Sequence, residues 1–578
     1  MKRWLAMEWL RSPRAVWPLY GIFAVCIVFL FDDYGVTNDE DGLRLYGNAI
    51  IAWYYTGFEN KIALQYANVH YYGGFFEVVA QLVTLPALFA GYTGIFEVRH
   101  LVNALFGLVG LVFVGRMARL LGGPRAAFLA VLFLLLTPRY FGHSFNNPKD
   151  LPFAVLQIVA LYYLFRIYKE APHVSWKLWV AFALCLGSAL AVRIGAVLLG
   201  VYAVLLLCLP PGRMLLGAGG VSALTRPWFA FFVRGGLAAV LAFAWMLLFW
   251  PYAQLSPFTA PLESLELMSR FPWDRVTFFN GKEYLAGTLP WYYIPAWIFM
   301  TLPEFYFCAL LAGLLIARNR IRTMRLETAA PLVVLAAFVF VPLLLSIVLG
   351  SVLYDGMRHF LFVLPAFAVL SALALDRFWS EWSGLRLKRV MAGIVAGFCA
   401  LAAYDTVDLH PFQTVYFNRV IAGGLPYAAQ RFETDYWGNG YRSAAEWIEA
   451  NYKDPTPEDP VRILSCDAFL PLEYHFNEAN FARDERELVR RYMLLDRSPL
   501  SKFLFRDLES PYRMYEFDWI SRPDLFITTT RFHCHRRVRG RVIHTIDRKG
   551  VPLVYIMEPA GPIAPGLKDV IQKQPLFR

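Results

Sequence analysis

The sequence predicts an α-helical polytopic membrane protein of about eleven spans, with a small α/β domain at its C-terminal end. Three observations carry this. Of 578 residues, 58% are hydrophobic and only 17% charged, against roughly 25% charged in soluble domains. The apolar residues fall in runs that, with their flanks, suit the ~20-residue helix needed to cross a bilayer. Lys and Arg collect in the short segments between alternate runs, as the positive-inside rule expects. These loops also account for the net charge of +11, so nucleic acid is not required as a partner.

The apolar cores, in order, are Trp17–Phe31, His100–Gly115, Ala126–Thr137, Leu151–Phe165, Leu178–Ala191, Gly195–Leu209, Gly236–Trp250, Ile294–Ala317, Ala330–Leu349, Phe360–Leu375 and Val390–Tyr404. The first follows Lys2, Arg3, Arg11 and Arg14 without a clear cleavage site and reads as a retained anchor. Gly73–Ala90 reads as an interfacial or re-entrant helix. Counting it as a span would invert every later loop and break the charge pattern. With the N-terminus inside, the inside loops carry Arg116/Arg119/Arg125, Arg166/Lys169/Lys177, Arg213/Arg226/Arg234, Arg318/Arg320/Arg322/Arg325 and Arg377/Arg386/Lys388/Arg389.

The outside segments are then Asp32–Arg99, Arg139–Asp150, the turn at Arg193, Pro251–Tyr293, Ser351–His359 and everything after Tyr404. This divides the chain into a membrane domain, residues 1–404 with the outside loop 32–99, and an outside region, residues 405–578. In the tail, Asn451–Pro460 reads as a linker. Val461–Ser465 and Asp524–Thr530 read as strands. Arg541–Ile546 and Val551–Met557 flank the turn Asp547-Arg548-Lys549-Gly550, as in a hairpin. Five of the seven cysteines lie in apolar runs; Cys466 and Cys534, in the polar tail, are able to pair if it faces an oxidising compartment.

Carboxylates are costly in hydrocarbon, so Asp32, Asp33, Asp39, Glu40 and Asp41 lie at or beyond the interface. There they either take protons from an attacking hydroxyl or form a solvated acidic loop. In a helix over Asp41–Thr56, Asp41, Arg44, Leu45 and Asn48 share a face. The second outside segment holds His143, Asn146, Asn147, Lys149 and Asp150 together. Helix capping explains one such residue, not five. Arg193 interrupts an apolar stretch and needs a carboxylate or an anionic ligand. Arg358, beside His359 at another outside helix end, raises the same question. Two guanidiniums at one face suit a phosphate, to which each donates paired hydrogen bonds. Lys282, in Asn280-Gly281-Lys282-Glu283, is a further binding candidate. His533-Cys534-His535 has metal-like composition, but no second ligand group accompanies it.

These motifs, in this order, resemble the GT-C superfamily of membrane glycosyltransferases, and within it the protein O-mannosyltransferase and lipid A aminoarabinose transferase group. Over Trp17–Tyr404, Asp39-Glu40 match that group's Asp-Glu pair after the first span. Asp150 matches an Asp before the fourth, Arg193 a cation in the fifth–sixth hairpin, and Arg358-His359-Phe360-Leu361-Phe362-Val363-Leu364-Pro365 an R-x-x-L-x-x-L-P-like helix start. His70-Tyr71-Tyr72-Gly73-Gly74 stands where an H-P-P-L-G-like helix is expected and lacks both prolines. His410–Asn418 and Asp435-Tyr436-Trp437-Gly438 also resemble bacterial members, with no chemistry assignable to them.

The resemblance implies a polyprenyl-phosphate-linked sugar as donor, and a protein, lipid or glycan hydroxyl as acceptor. It places the chain in a bacterial inner membrane. Catalysis falls to Asp39 with Glu40, and substrate binding to Asp150, Lys149, His143, Asn147, Arg193, Arg358, His359 and Lys282. No organic cofactor is implied, and the acidic first loop leaves room for a divalent metal. The alternative is a transporter or flippase for a lipid-linked or anionic substrate. Transporters usually carry charge at the midplane, often in repeated halves, whereas here it lies at one face and no repeat is visible.

Overall fold

The computed structural model describes residues 12–216, 226–273, 275–321, 325–452, 459–466, 470–493, 512–514 and 522–563. Lys2, Arg3, Arg11, Arg322 and the middle of the expected linker, 453–458, lie outside them.

The described chain is chiefly helical, and a helix covers each expected apolar run. Among the described residues six helices are long and apolar enough to cross a membrane: Ile95–Gly122, Asp150–Glu170, Arg226–Leu248, Leu326–Val348, Val363–Glu381 and Leu385–Asp408. Two bent pairs raise this to as many as eight. Trp17–Leu30, Trp176–Leu190 and Ile194–Pro210 are apolar but shorter. Phe75–Phe89, within the stretch expected to be interfacial or re-entrant, is a 15-residue helix. At 1.5 Å per residue it reaches only ~22 Å, and it buries Glu77, Gln81 and Thr84.

The bent pairs correct two sequence expectations. Ile294–Ala317 is not one straight span. Tyr293–Thr301 meets the next helix at 101°, because Pro303 lacks the N–H that would continue the ladder. The freed carbonyls are satisfied from the tail: the Asn418 amide donates to the Phe299 and Leu302 carbonyls at 2.6 and 2.9 Å, and the Asn418 N–H donates to Met300 at 2.8 Å. This gives His410–Asn418 a structural role. Nor is Arg139–Asp150, expected as a short polar outside segment, a simple link between two spans. Most of it is a buried helix, Pro138–Asn146, at 67° to Pro124–Leu135. Pro138 starts it at a position where no N–H is needed.

Helices Asp150–Glu170 and Val363–Glu381 both run away from the Asp150/Arg358 end of the bundle. At their far ends Arg125 pairs with Asp376 and donates to Ser380 at 2.6 Å, while Lys169 donates to the Leu120 carbonyl at 2.7 Å. Arg125 and Lys169, from two of the basic loops, therefore lie at the end of the bundle opposite Asp150 and Arg358.

Beyond the last long helix the chain builds the expected mixed α/β unit. Earlier in the chain, between helices Arg226–Leu248 and Tyr293–Thr301, strands β1 (Val276–Phe279) and β2 (Lys282–Leu285) form a separate hairpin. Its Asn280-Gly281 turn has φ of 51° and 77°, the two positive values that a type I′ turn requires. Strands β3 (Val461–Ser465), β4 (Tyr512–Met514), β5 (Leu525–Thr529), β6 (Gly540–Arg548) and β7 (Val551–Pro559) form a five-stranded sheet in the order β4-β3-β5-β7-β6. β3 pairs in parallel with β4 and β5; β7 is antiparallel to β5 and β6. The β6–β7 turn falls where expected, with positive φ at Lys549 and Gly550. Cys466 and Cys534 are disulfide-bonded. Helix Leu470–Met493 packs on Glu40–Tyr55, where Glu485 accepts from Asn48 at 2.6 Å and pairs with Arg44.

Candidate functional site

After the first helix the chain turns through Thr37–Asp39 into helix Glu40–Tyr55, whose N-cap is Asp39. The two neighbouring carboxylates point to different partners. Glu40 is 1% exposed; it accepts from the Thr37 N–H and hydroxyl at 2.8 and 2.9 Å and meets His100 Nε2 at 2.8 Å. Asp39, 17% exposed at its side chain, lies 3.5 Å from Arg358. Asp41 is bound by Arg44 at 2.6 Å. Of the three, Asp39 alone faces the remaining site residues.

Helix Pro138–Asn146 leads to the second group. The Asn147 side-chain oxygen accepts from the N–H groups of Lys149 (3.3 Å) and Asp150 (2.9 Å). Its amide donates to the Asp150 carboxylate at 3.2 Å and lies 3.1 Å from His143 Nδ1. Asn147 thus orients both neighbours. Asp150 opens helix Asp150–Glu170, where the helix dipole favours a negative charge. The Lys149 ammonium lies over the Tyr72 ring at 3.8 Å.

Arg193 stands in extended conformation at the break between Trp176–Leu190 and Val197–Leu216 and pairs with Asp150. Gly73 and Gly74 explain the stretch that departs from the H-P-P-L-G pattern. Gly74 N–H donates to the Phe249 carbonyl at 2.8 Å, and a Cβ on Gly73 would collide with the Ala191 backbone. Glycine lets the first loop close over the Arg193 turn.

Arg358 is the centre of the site. Its guanidinium donates to Asp355 at 2.9 and 3.1 Å and lies 3.5 Å from Asp39 and 3.6 Å from Asp150. It stacks 4.5 Å from the Trp437 ring and 5.2 Å from Tyr354. Burial opposes its charge, but Asp355 and Asp39 hold its pKa well above the ordinary arginine value. His359 packs edge-on against Tyr354 at 4.7 Å. Burial, then Arg358 and Arg193, push its pKa well below the usual histidine value, so it is neutral at physiological pH.

The structure therefore brings together Asp39, Asn147, Asp150, Arg193 and Arg358, with His143, Lys149 and His359 at the margin. It sets Glu40 apart on Thr37 and His100. Lys282, at the exposed start of β2, makes no ion pair with these carboxylates. The arginines are internally paired, as their setting among apolar runs allowed. Asp39, Asp150 and Asp355 converge on a guanidinium and not on one another. Among the described residues no group of three or more His, Cys, Asp or Glu side chains could hold a metal. The donor set does not fit a divalent cation. In the metal-like triplet, Cys534 is in the disulfide, His533 meets Glu283 at 2.9 Å and His535 stacks on Tyr555.

Sequence reasoning missed two participants, Asp355 and Trp437. Asp355, at φ 54°, begins the tight turn that delivers Arg358. Trp437 lies on a turn built by Asp435, whose carboxylate accepts from the N–H groups of Gly438, Asn439 and Gly440 at 2.8–3.1 Å. From there the Trp437 carbonyl accepts from Asn38 at 3.2 Å, its indole donates to the Asn146 carbonyl at 3.3 Å, and its ring covers Arg358. One residue thus holds three parts of the site. The spacing Asp435-x-x-Gly438 was the available signal.

An apolar cavity of about 600 Å³ lies between helices Trp176–Leu190, Val197–Leu216 and Arg226–Leu248. Val197, at one of its ends, is four residues from Arg193.

A partly exposed carboxylate beside one guanidinium, with a second arginine paired to the adjoining Asp150, has the groups needed to take up a proton next to an anion. The dolichyl-phosphate-mannose-protein mannosyltransferase family matches residues 82–248. The chain thus resembles the GT-C glycosyltransferases, and this match supports a membrane glycosyltransferase. No curated protein matches. Among solved structures, the chain is similar to ArnT from Cupriavidus metallidurans bound to undecaprenyl phosphate, with 14% identity over 94% of this chain and 97% of that one and a TM-score of 0.46. It is also similar to the Archaeoglobus fulgidus oligosaccharyltransferase tethered with an acceptor peptide (14% identity, 82% and 63%, TM-score 0.43). A third is the mycobacterial arabinofuranosyltransferase AftD (13% identity, 95% and 40%, TM-score 0.41).

Proposed function

We propose that this protein is an inverting glycosyltransferase that moves a sugar from a polyprenyl-phosphate donor to an acceptor hydroxyl at the outer face of the membrane. The observation that carries this reading is the placement of Asp39 on Arg358, beside the Asp150–Arg193 pair. Asp39 takes the proton of the acceptor hydroxyl. The acceptor oxygen attacks the anomeric carbon as the bond from that carbon to the phosphate oxygen breaks. Polyprenyl phosphate leaves with the bonding electrons, and Arg358 and Arg193 stabilise the charge that develops on it. Asp150, oriented by Asn147, positions the sugar or the acceptor, with His143, Lys149 and His359 around them. The apolar cavity that Val197 helps to line is of a kind that accepts an isoprenoid chain.

The test is to incubate purified protein with labelled polyprenyl-phosphate sugars and acceptor, and to score release of polyprenyl phosphate. Release with transfer of label supports the reading. Movement of the intact lipid-linked sugar across a vesicle membrane without bond cleavage would support a flippase instead.

A further inference from the structure

We propose that Arg531, in the tail domain, is a positioning residue for Arg358 and acts through Asp355. The inference rests on the transferase reading, in which Arg358 meets the donor phosphate, and adds a residue 173 positions further along the chain.

Asp355 is 3% exposed, and its two oxygens are divided between two arginines. One accepts from Arg358 at 2.9 and 3.1 Å. The other accepts from Arg531 at 2.5 Å. A carboxylate shared in this way binds each guanidinium less fully than it would bind one alone. Arg358 therefore keeps its remaining amino group directed at Asp39 and Asp150, where the phosphate would arrive. Without Arg531 the whole Asp355 charge would face Arg358 and compete with the phosphate for it.

The tail domain is built to hold Arg531 in place. Its N–H donates to the Thr529 hydroxyl at the end of β5, at 3.1 Å. Phe532 and His533 follow with φ of 57° and 50°, reversing the chain. Cys534 is then disulfide-bonded to Cys466, just past β3. His533 meets Glu283 of the β1–β2 hairpin at 2.9 Å and packs edge-on against Phe278 at 4.5 Å. A turn fixed by a strand, a covalent link and a hairpin presents one guanidinium to one buried carboxylate.

The experiment measures donor KM and kcat for wild type, Arg531→Ala, Arg531→Lys, Asp355→Asn and the double variant Arg531→Ala/Asp355→Asn. It uses whichever labelled polyprenyl-phosphate monosaccharide the wild type consumes. Arg531→Ala should raise donor KM roughly tenfold, the lower range for a hydrogen bond to a charged group, with kcat changed much less. Arg531→Lys keeps one charged donor and should fall between, which also decides the matter if Arg531→Ala does not fold. In the Asp355→Asn background, loss of Arg531 should have little further effect, because the two act as one unit. Arg541→Ala, which breaks an exposed ion pair with Glu558 in the same domain, should leave both constants unchanged. Unchanged donor KM in Arg531→Ala, or fully additive effects with Asp355→Asn, would overturn the proposal while the transferase reading stands. A wild type that releases no polyprenyl phosphate would remove both.

Discussion

Asp39 and Glu40 are neighbours in the chain, but the structure gives them separate duties, and substitution should separate them. Glu40 accepts two hydrogen bonds from Thr37 and one from His100 in a buried setting. Glu40→Gln should destabilise the protein by about 1–3 kcal/mol, the usual cost of disturbing buried hydrogen bonds, read as a lower midpoint of thermal unfolding in detergent. Arg358→Lys keeps the charge and loses the planar fork. It should keep only part of the activity, and Arg358→Ala should lose about 2–4 kcal/mol of donor binding and transition-state stabilisation. Normal donor affinity and turnover in Arg358→Ala would assign that arginine to structure alone. Glu433 gives a pH prediction. Burial raises its pKa to about 8, with Arg531 opposing and Asp355 adding to the shift. An acid whose pKa is raised on folding lends stability that is full below its unfolded pKa and is lost as pH rises through the folded one. Glu433→Gln, which cannot ionise, should unfold at a temperature close to wild type near pH 4. It should gain steadily on wild type up to pH 8–9. A difference that does not change with pH would rule this out.

At the scale of elements, the Asp435–Gly440 turn joins the site's parts. Asp435→Ala leaves three N–H groups without their acceptor and releases Trp437 from Arg358 and Asn146. It should lower both stability and turnover, whereas Glu446→Ala, on the exposed side of the helix that follows, should affect neither strongly. Activity at the wild-type level in Asp435→Ala would show that the turn is not needed. Elements also mark where sequence reading succeeded and where it stopped. The β6–β7 hairpin was legible because Lys549-Gly550 sits between alternating runs. The break at Leu302-Pro303 was missed because strongly apolar runs flank it on both sides, although Pro303-Glu304 was in view. Arg139–Asn146 was read as part of a polar outside segment, and nothing in its pattern told whether its side chains face water. They turn inward, to partners from the tail that hydropathy cannot reveal: Arg139 donates to the Tyr416 carbonyl at 3.1 Å and to the Tyr436 hydroxyl at 3.1 Å.

For the whole molecule, four corners of the site — Asp39, Asp150, Arg193 and Arg358 — were legible because a charge beside a long apolar run needs a partner. Asp355 and Trp437 were not. Asp355 lies in a polar stretch like any other, and Trp437 reaches the site only because the tail folds back on the bundle. The placement of Arg125 and Lys169 at the end away from Asp39 and Asp150 supports the proposed orientation. A reporter fused after Arg578 should be active outside the cytoplasm, and one inserted at Ser383 inside; the reverse at either point would mean that the order of spans is wrong. The central claim is that Asp39 takes the acceptor's proton in a sugar transfer from a polyprenyl phosphate. It is tested most directly by the rate of polyprenyl phosphate release from labelled donor by wild type and Asp39→Asn. Asparagine keeps the shape but cannot take up a proton. Release by wild type and a loss of 10²–10⁴-fold in turnover, roughly 3–5 kcal/mol of barrier, are expected, with donor affinity not weakened. Near-normal turnover in Asp39→Asn would contradict the claim.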